Sequence, residues 1–103
     1  TLGYPASLMV VEKKLSELPN ITAKGSIPNR RVDLLVYSQD GKPLVLIECK
    51  ASKITQSAVR QVLAYNVFVG AKAVVLVNEI QEFCVIGGRQ YPALPQWRDL
   101  HEL

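Results

Sequence analysis

Two acidic residues and one lysine interrupt strongly apolar stretches of this 103-residue chain. Asp33 lies in the stretch RVDLLVY (31–37), and Glu48 and Lys50 lie in the stretch LVLIECK (44–50). Carboxylate oxygens are ligands for divalent cations such as Mg²⁺. If the fold brings the two acids together, they could hold such an ion, with the lysine as a further cation beside them.

A tight turn is predicted between these two stretches. Asp40-Gly41 between apolar runs is the strongest short-range signal for a β-hairpin. A two-residue turn there pairs residues whose numbers add to 81, which places Asp33 opposite Glu48. Opposed carboxylates at about 5 Å repel by roughly 3 kcal/mol at an effective dielectric constant of about 20. Protonation of one acid or a bound cation would relieve the repulsion, and Lys50 on the same face supplies one cation.

The acids have a simpler interpretation, in which each is a solvated edge residue paired with Arg31 or Lys50. Taken one at a time, the residues fit that interpretation. Two opposed acids and a lysine, all flanked by Ile, Leu and Val, are not typical of a solvated edge. The combination therefore favours a site for a divalent metal ion.

The wider pattern predicts an α/β fold in which a mixed central sheet has helices on both faces. Ser7 can cap a first helix that ends near Leu18, and Thr55 or Ser57 can cap a second helix that ends at Gly70. The second helix is the expected crossover between parallel strands. Strands are predicted at 31–38, 44–50, 72–78 and 82–86, with an ambiguous edge strand at 20–26.

These motifs, in this order, resemble the PD-(D/E)xK nuclease superfamily. Its signature is an acid on one strand, Glu-x-Lys on the next strand, and then a helix and a further strand. Asp33 and Glu48-Cys49-Lys50 match that signature, and Val32 departs from it where the name-giving motif has proline. The resemblance covers roughly residues 4–86 and implies a restriction-endonuclease-like αβββαβ core.

A second motif narrows the resemblance. Gln61 and Tyr65 form a Gln-x-x-x-Tyr pattern one helical turn apart. This pattern, together with Tyr4-Pro5 near the start, is similar to the nuclease domain at the N-terminus of the R subunit of type I restriction enzymes. The resemblance implies Mg²⁺-dependent hydrolysis of DNA phosphodiester bonds, with Mn²⁺ able to replace Mg²⁺.

The resemblance also implies roles for single residues. Asp33, Glu48 and the backbone carbonyl of Cys49 would bind the metal ion, and Glu12 on the first helix is the candidate for a further ligand. Lys50 would orient or help activate the attacking water. The expected positioning residues for substrate or lysine are Gln61 and Tyr65, and the expected DNA-phosphate contacts are Arg30, Arg31, Lys53 and Arg60.

The composition is that of one folded domain over residues 1–103, with a core at about 4–86 and an irregular tail at 89–103. The first 60 residues hold nine Lys or Arg against five acids, which fits an anionic partner such as DNA. The only histidine is His101, which argues against His-based catalysis and structural zinc sites. Cys49 and Cys84 are expected to be buried thiols of a cytoplasmic protein. No stretch is long and apolar enough for a membrane span, so no membrane partner is expected.

Two other interpretations remain open at this stage. The chain could be a catalytically inactive or partner-dependent DNA-binding module of the same fold, or a small α/β domain with no role on nucleic acid. No Walker-type Gly-rich motif is present, so the chain would be either a stand-alone relative or a fragment of a longer enzyme. Cutting both strands of a duplex would favour a homodimer or a larger restriction-type complex.

Overall fold

In the computed structural model of this chain, residues 3–14, 17–18 and 31–100 are described, and six strands there form a single sheet. The elements follow the chain in the order 3₁₀ turn Ala6–Leu8, β1 Met9–Lys14, β2 Arg31–Tyr37, β3 Pro43–Cys49, α1 Gln56–Val69, β4 Ala73–Val77, β5 Glu82–Ile86, β6 Arg89–Tyr91 and α2 Trp97–Leu100.

The sheet has its strands in chain order from β1 to β6. All neighbouring strands are antiparallel except β3 and β4, which are parallel and are joined by the crossover helix α1. The predicted α/β fold with a mixed sheet is therefore confirmed. The parallel pair brings the carboxyl ends of β3 and β4 to the same edge of the sheet, which is where crevices for ligands form in such folds.

Helix α1 begins and ends as the sequence predicts. The Thr55 side chain accepts a hydrogen bond from the Ala58 N–H at 3.1 Å, and Gly70 closes the helix in the left-handed conformation with φ of 78°. Its buried residues recur at helical spacing, so one stripe of the helix packs on the sheet. They are Val59, Val62, Tyr65 and Val69.

The core is divided between the two faces of the sheet. On the α1 side, Leu35, Leu46 and Leu76 are buried with the helix stripe. The opposite face is covered by the two ends of the chain. There the Tyr4 hydroxyl donates to the Pro95 carbonyl at 2.6 Å, its ring contacts Trp97 edge to face, and Leu100 of α2 is fully buried. No helix in the described part of the chain is long and apolar enough to cross a membrane.

The first helix predicted from Ser7 to about Leu18 is wrong. Residues 9–14 form β1, which pairs with β2 in the register Val10↔Leu35 and Val11↔Leu34. The β-branched residues Val10 and Val11 suit a strand, and β2 offers an open edge whose backbone groups need partners. The edge strand predicted at 20–26 lies outside the described residues.

The predicted hairpin has a different turn but the predicted register. The Ser38 N–H donates to the Lys42 carbonyl at 2.8 Å, and the Gly41 N–H donates to the Ser38 carbonyl at 3.0 Å. The loop therefore has three residues and ends on Gly41 with φ of 82°. A register shift between Val36 and Tyr37 then restores the pairing that adds to 81, as in Leu35↔Leu46.

The tail predicted to be irregular from residue 89 starts with a strand. Gly87 and Gly88 both have positive φ, at 57° and 80°, which is what a two-residue hairpin turn of type I′ requires. They connect β5 to the short strand β6, and Ile86 pairs with Arg89. Beyond β6, the side chain of Leu94 is also buried in the core.

The raised pKa of the buried Cys84 thiol predicts that the folded protein loses stability in mild alkali. Burial, with a smaller contribution from the charge of Glu82, raises the pKa of its thiol from 9.0 to about 11. Above pH 9 the unfolded chain releases this proton and the folded chain does not, so stability falls as the pH rises from about 9 to 11. We expect urea unfolding to show about 2 kcal/mol more loss across this window in the wild type than in Cys84→Ala. An equal loss in both proteins would contradict the assignment.

Candidate active site

The backbone ladder between β2 and β3 ends at Leu34↔Ile47, and side chains continue the connection beyond it. The Asp33 N–H donates to Glu48 Oε2 at 2.9 Å. In return, the Cys49 N–H donates to Asp33 Oδ2 at 2.8 Å. Each carboxylate is thus bound to the backbone of the opposite strand, and the structure brings Asp33 and Glu48 together as the hairpin register predicts.

These hydrogen bonds offset part of the electrostatic repulsion between the two neighbouring acids. A backbone N–H that donates to a carboxylate favours its charged form and makes a stronger hydrogen bond than a neutral pair. The sequence predicts that a proton or a cation relieves the repulsion between the two acids. In the structure, the backbone N–H groups of Asp33 and Cys49 also donate hydrogen bonds to the carboxylates. The two acids are therefore held in fixed positions by the strands that carry them.

Glu48 is the buried charged residue among those described, with 6% of its surface exposed. The hydroxyl of Tyr65, itself 4% exposed, donates to Glu48 Oε1. Burying a carboxylate is costly unless it is hydrogen-bonded, and here both oxygens have a donor. The tyrosine of the Gln-x-x-x-Tyr pattern thus reaches from α1 to the acid on β3.

Gln61 is placed differently from Tyr65. Its side chain is exposed on α1, and it makes no hydrogen bond to the other residues that the structure describes. The two residues share a helix side by their spacing of four. Of the two residues, Tyr65 donates a hydrogen bond to Glu48, and no such bond is described for Gln61.

Lys50 follows β3 directly and lies at the edge of an open cleft. Its N–H donates to the Val77 carbonyl at 2.8 Å, which extends the parallel pairing of β3 and β4 to this point. The cleft has a volume of about 630 Å³ and lies between residues 50–53 and residues 78–81, at the carboxyl ends of the two parallel strands. The residues of its far wall, which include Asn78 and Gln81, were not singled out from the sequence.

The backbone of Cys49 faces Asp33. The flanking Lys50 N–H is bonded toward β4, whereas the Cys49 N–H is bonded toward Asp33. In extended backbone, the N–H and the carbonyl of one residue point to the same edge of the strand. The Cys49 carbonyl is therefore directed to the Asp33 side of β3. Its thiol is exposed and not buried as expected, and partial desolvation with the charges of Asp33 and Glu48 raises its pKa.

Glu12 lies opposite Asp33 in the register of β1 and β2, but its side chain does not join Asp33 and Glu48 in a group that could hold a metal ion. It lies on β1, where no helix forms, with an exposed side chain and a positive φ of 52°. Its backbone carbonyl accepts a hydrogen bond from Arg31 Nη1 at 3.0 Å. Within residues 3–14, 17–18 and 31–100, no three His, Cys, Asp or Glu side chains form a group that could hold a metal ion.

The basic residues predicted to contact DNA are dispersed around the site. Lys53 lines the cleft, and Arg60 is exposed on α1. Arg31 is exposed at the start of β2, where it binds the Glu12 carbonyl. Arg30 lies outside the described residues.

A comparison with protein families identifies the chain. The family model described as type I restriction enzyme R protein N terminus matches residues 1–95. The chain belongs to this family. The match includes all six strands and α1, and it extends beyond the resemblance seen at residues 4–86. No curated protein matched the chain. The placement of this R-protein N-terminal domain among PD-(D/E)xK nucleases is consistent with the match.

In this R-protein N-terminal domain, Tyr65→Phe should be destabilising. The change removes one hydrogen-bond donor from the buried Glu48 carboxylate, and a buried polar group that loses a partner typically costs about 1–3 kcal/mol. Chemical unfolding measures this loss. Tyr91→Phe is the matched control, because Tyr91 is half-buried and its hydroxyl makes no hydrogen bond to the described residues. Equal stabilities for the two variants would mean that the Tyr65–Glu48 contact contributes nothing.

Proposed function

We propose that this domain hydrolyses phosphodiester bonds of DNA in a Mg²⁺-dependent reaction. The observation that carries the proposal is the cross-strand exchange between Asp33 and Glu48, which fixes two carboxylates close in the chain to Lys50, a residue that lines an open cleft. The family match supports a role in restriction of DNA as part of a larger enzyme.

The oxygen atoms available here fit Mg²⁺. The carboxylates of Asp33 and Glu48 and the carbonyl of Cys49 are hard ligands, and Mg²⁺ takes one or two carboxylates and keeps several waters. Each ionised carboxylate has about four acceptor sites, so the hydrogen bonds with N–H and O–H groups leave capacity for a cation. When bound, the ion would polarise the scissile phosphate and lower the pKa of a coordinated water. Mn²⁺ prefers similar oxygen ligands and should substitute.

The protein groups supply orientation and charge. Tyr65 and the Asp33 N–H hold the two oxygens of Glu48, so its carboxylate is fixed before substrate arrives. Tyr65 is therefore a positioning residue that acts through Glu48. Lys50 places a cation where negative charge develops on the phosphate, and fixed charges of this kind lower the barrier because they need no reorganisation. Gln61, exposed on α1, is available to contact the substrate.

The exposed cations around the site would hold the DNA backbone. Lys53 lines the cleft and Arg60 is exposed on α1, and neither forms an ion pair with an acid in the described ranges. Contacts of this type bind phosphates and do not read the base sequence. Cleavage of both strands of a duplex would need two such sites, supplied by a homodimer or by two binding events.

A second candidate is a DNA-binding module that depends on a partner for cleavage. It is favoured by one observation, which is that among the described residues no third His, Cys, Asp or Glu side chain joins Asp33 and Glu48 in a group that could hold a metal ion. In that case a partner would complete the site. The isolated chain would then bind DNA and not cut it.

The proposed function predicts metal-dependent cleavage by the purified chain. Plasmid DNA should be nicked with Mg²⁺ or Mn²⁺ and left intact with EDTA. Asp33→Asn, Glu48→Gln and Lys50→Ala should each lower the rate by at least about 100-fold, because each removes a ligand or a charge that acts in the transition state.

Lys42→Ala is the matched control for Lys50→Ala. Lys42 is an exposed lysine in the turn at the opposite end of β3, so its loss changes the net charge equally and leaves the site intact. Its activity should stay near that of the wild type. Cleavage that persists in EDTA, or Lys50→Ala with wild-type activity, would overturn the assignment.

A further inference from the structure

Ile80 is almost fully exposed, with 93% of its surface open, on the turn between β4 and β5. It is the most exposed large hydrophobic residue in the described part of the chain. Single apolar residues on a surface are common and need no special explanation. Ile80 differs from such residues because its turn is tightly held and because a cationic surface lies beside it.

Asn78 fixes the turn from both sides. Its Oδ1 accepts hydrogen bonds from the N–H groups of Ile80 at 2.9 Å and Gln81 at 2.6 Å. Its Nδ2 donates to the Ser52 carbonyl at 3.0 Å and to Gln81 Oε1 at 3.2 Å. A turn that only reverses the chain does not need the bond to Ser52. That bond sets the position of Ile80 relative to residues 50–53.

The cleft between these two segments has walls of different chemistry. Lys50 and Lys53 lie on one wall, and Ile80 lies on the other, with Glu79 as the one acid among the described lining residues. The volume of about 630 Å³ is within the range of roughly 300–1,000 Å³ that is typical of ligand pockets. A nucleic-acid strand matches these walls, because it has phosphates along one side and the apolar faces of bases on the other.

Lys50 connects the cleft to the carboxylates. It lines the cleft, and it follows Glu48 by two residues at the end of β3. A strand whose scissile phosphate lies at Asp33 and Glu48 would therefore continue along the cleft. Ile80 would meet the bases next to that phosphate.

We propose that this cleft binds the DNA strand beside the scissile phosphate, with Lys53 on a flanking phosphate and Ile80 as a wedge between bases. Apolar side chains such as isoleucine insert between base steps and partly unstack them in many DNA complexes. The proposal rests on the proposed function and makes it more specific. The preferred substrate would be DNA whose bases unstack easily near the cut.

The test compares two exposed apolar residues in the full 103-residue chain. Ile80→Ala removes the wedge, and Val67→Ala is the control, since Val67 is 69% exposed on α1. Neither change is expected to affect folding. Binding is measured by fluorescence anisotropy in EDTA on duplexes that carry 2-aminopurine at successive positions, a base whose fluorescence rises when it unstacks.

We expect the wild type to bind with increased 2-aminopurine fluorescence at one or two adjacent positions. Ile80→Ala should weaken binding at least about fivefold and remove that increase, whereas Val67→Ala should stay close to the wild type. Lys53→Ala should keep the fluorescence increase and reduce the salt dependence of binding by about one phosphate contact. In cleavage assays, Ile80→Ala should raise KM with little change in kcat.

The outcomes separate this proposal from the proposed function. Binding that depends on Ile80 without cleavage in Mg²⁺ would support the cleft and contradict the hydrolase. Cleavage with Ile80→Ala indistinguishable from Val67→Ala would support the hydrolase and overturn the wedge. A wild-type chain that neither binds nor cleaves DNA would contradict both.

Discussion

The site depends on one exchange of hydrogen bonds at the point where β2 and β3 stop pairing through their backbones. Asp33 gives its N–H to Glu48, and its carboxylate takes the N–H of Cys49. Two acids that would repel each other when ionised are thereby held side by side by hydrogen bonds to the opposite strand. A regular ladder would have used the same N–H groups for backbone pairing and left the acids unsupported.

The topology of the sheet places further groups of the site around this pair of acids. Because β3 and β4 are parallel, a crossover helix must lie on the sheet, and that helix brings the Tyr65 hydroxyl to the buried Glu48. The same parallel pairing opens the cleft at the carboxyl ends of the two strands, where Lys50 lies. The positions of the tyrosine and of the lysine thus follow from the parallel pairing of β3 and β4, whereas the two carboxylates are brought together by the antiparallel pairing of β2 and β3.

The sequence was sufficient for the features that depend on local signals. Thr55 and Gly70 define α1 because caps are local, and Asp40-Gly41 gives the correct register near Leu35↔Leu46 although the turn has three residues. The register survives because the shift beside Val36 compensates for the longer turn.

The sequence-based predictions failed, or could not be made, where tertiary contacts determine the local structure. Residues 8–18 have apolar positions at helical spacing, but the open edge of β2 makes residues 9–14 a strand and removes Glu12 from the expected helix. The contact of Tyr65 with Glu48 required the crossover geometry, which spacing alone does not give. The bond from Asn78 to Ser52 joins two loops that are far apart in sequence, so no local pattern indicates it.

The central claim is that Asp33 and Glu48 share one divalent cation, and calorimetric titration with Mn²⁺ tests it most directly. The wild-type chain should bind one Mn²⁺ ion, and Asp33→Asn and Glu48→Gln should each abolish that binding, because each removes a proposed carboxylate ligand. Glu12→Gln, which changes an acid whose side chain does not join Asp33 and Glu48 in a metal-holding group, should bind as the wild type does. Mn²⁺ binding of wild-type affinity by Asp33→Asn or Glu48→Gln would contradict the account.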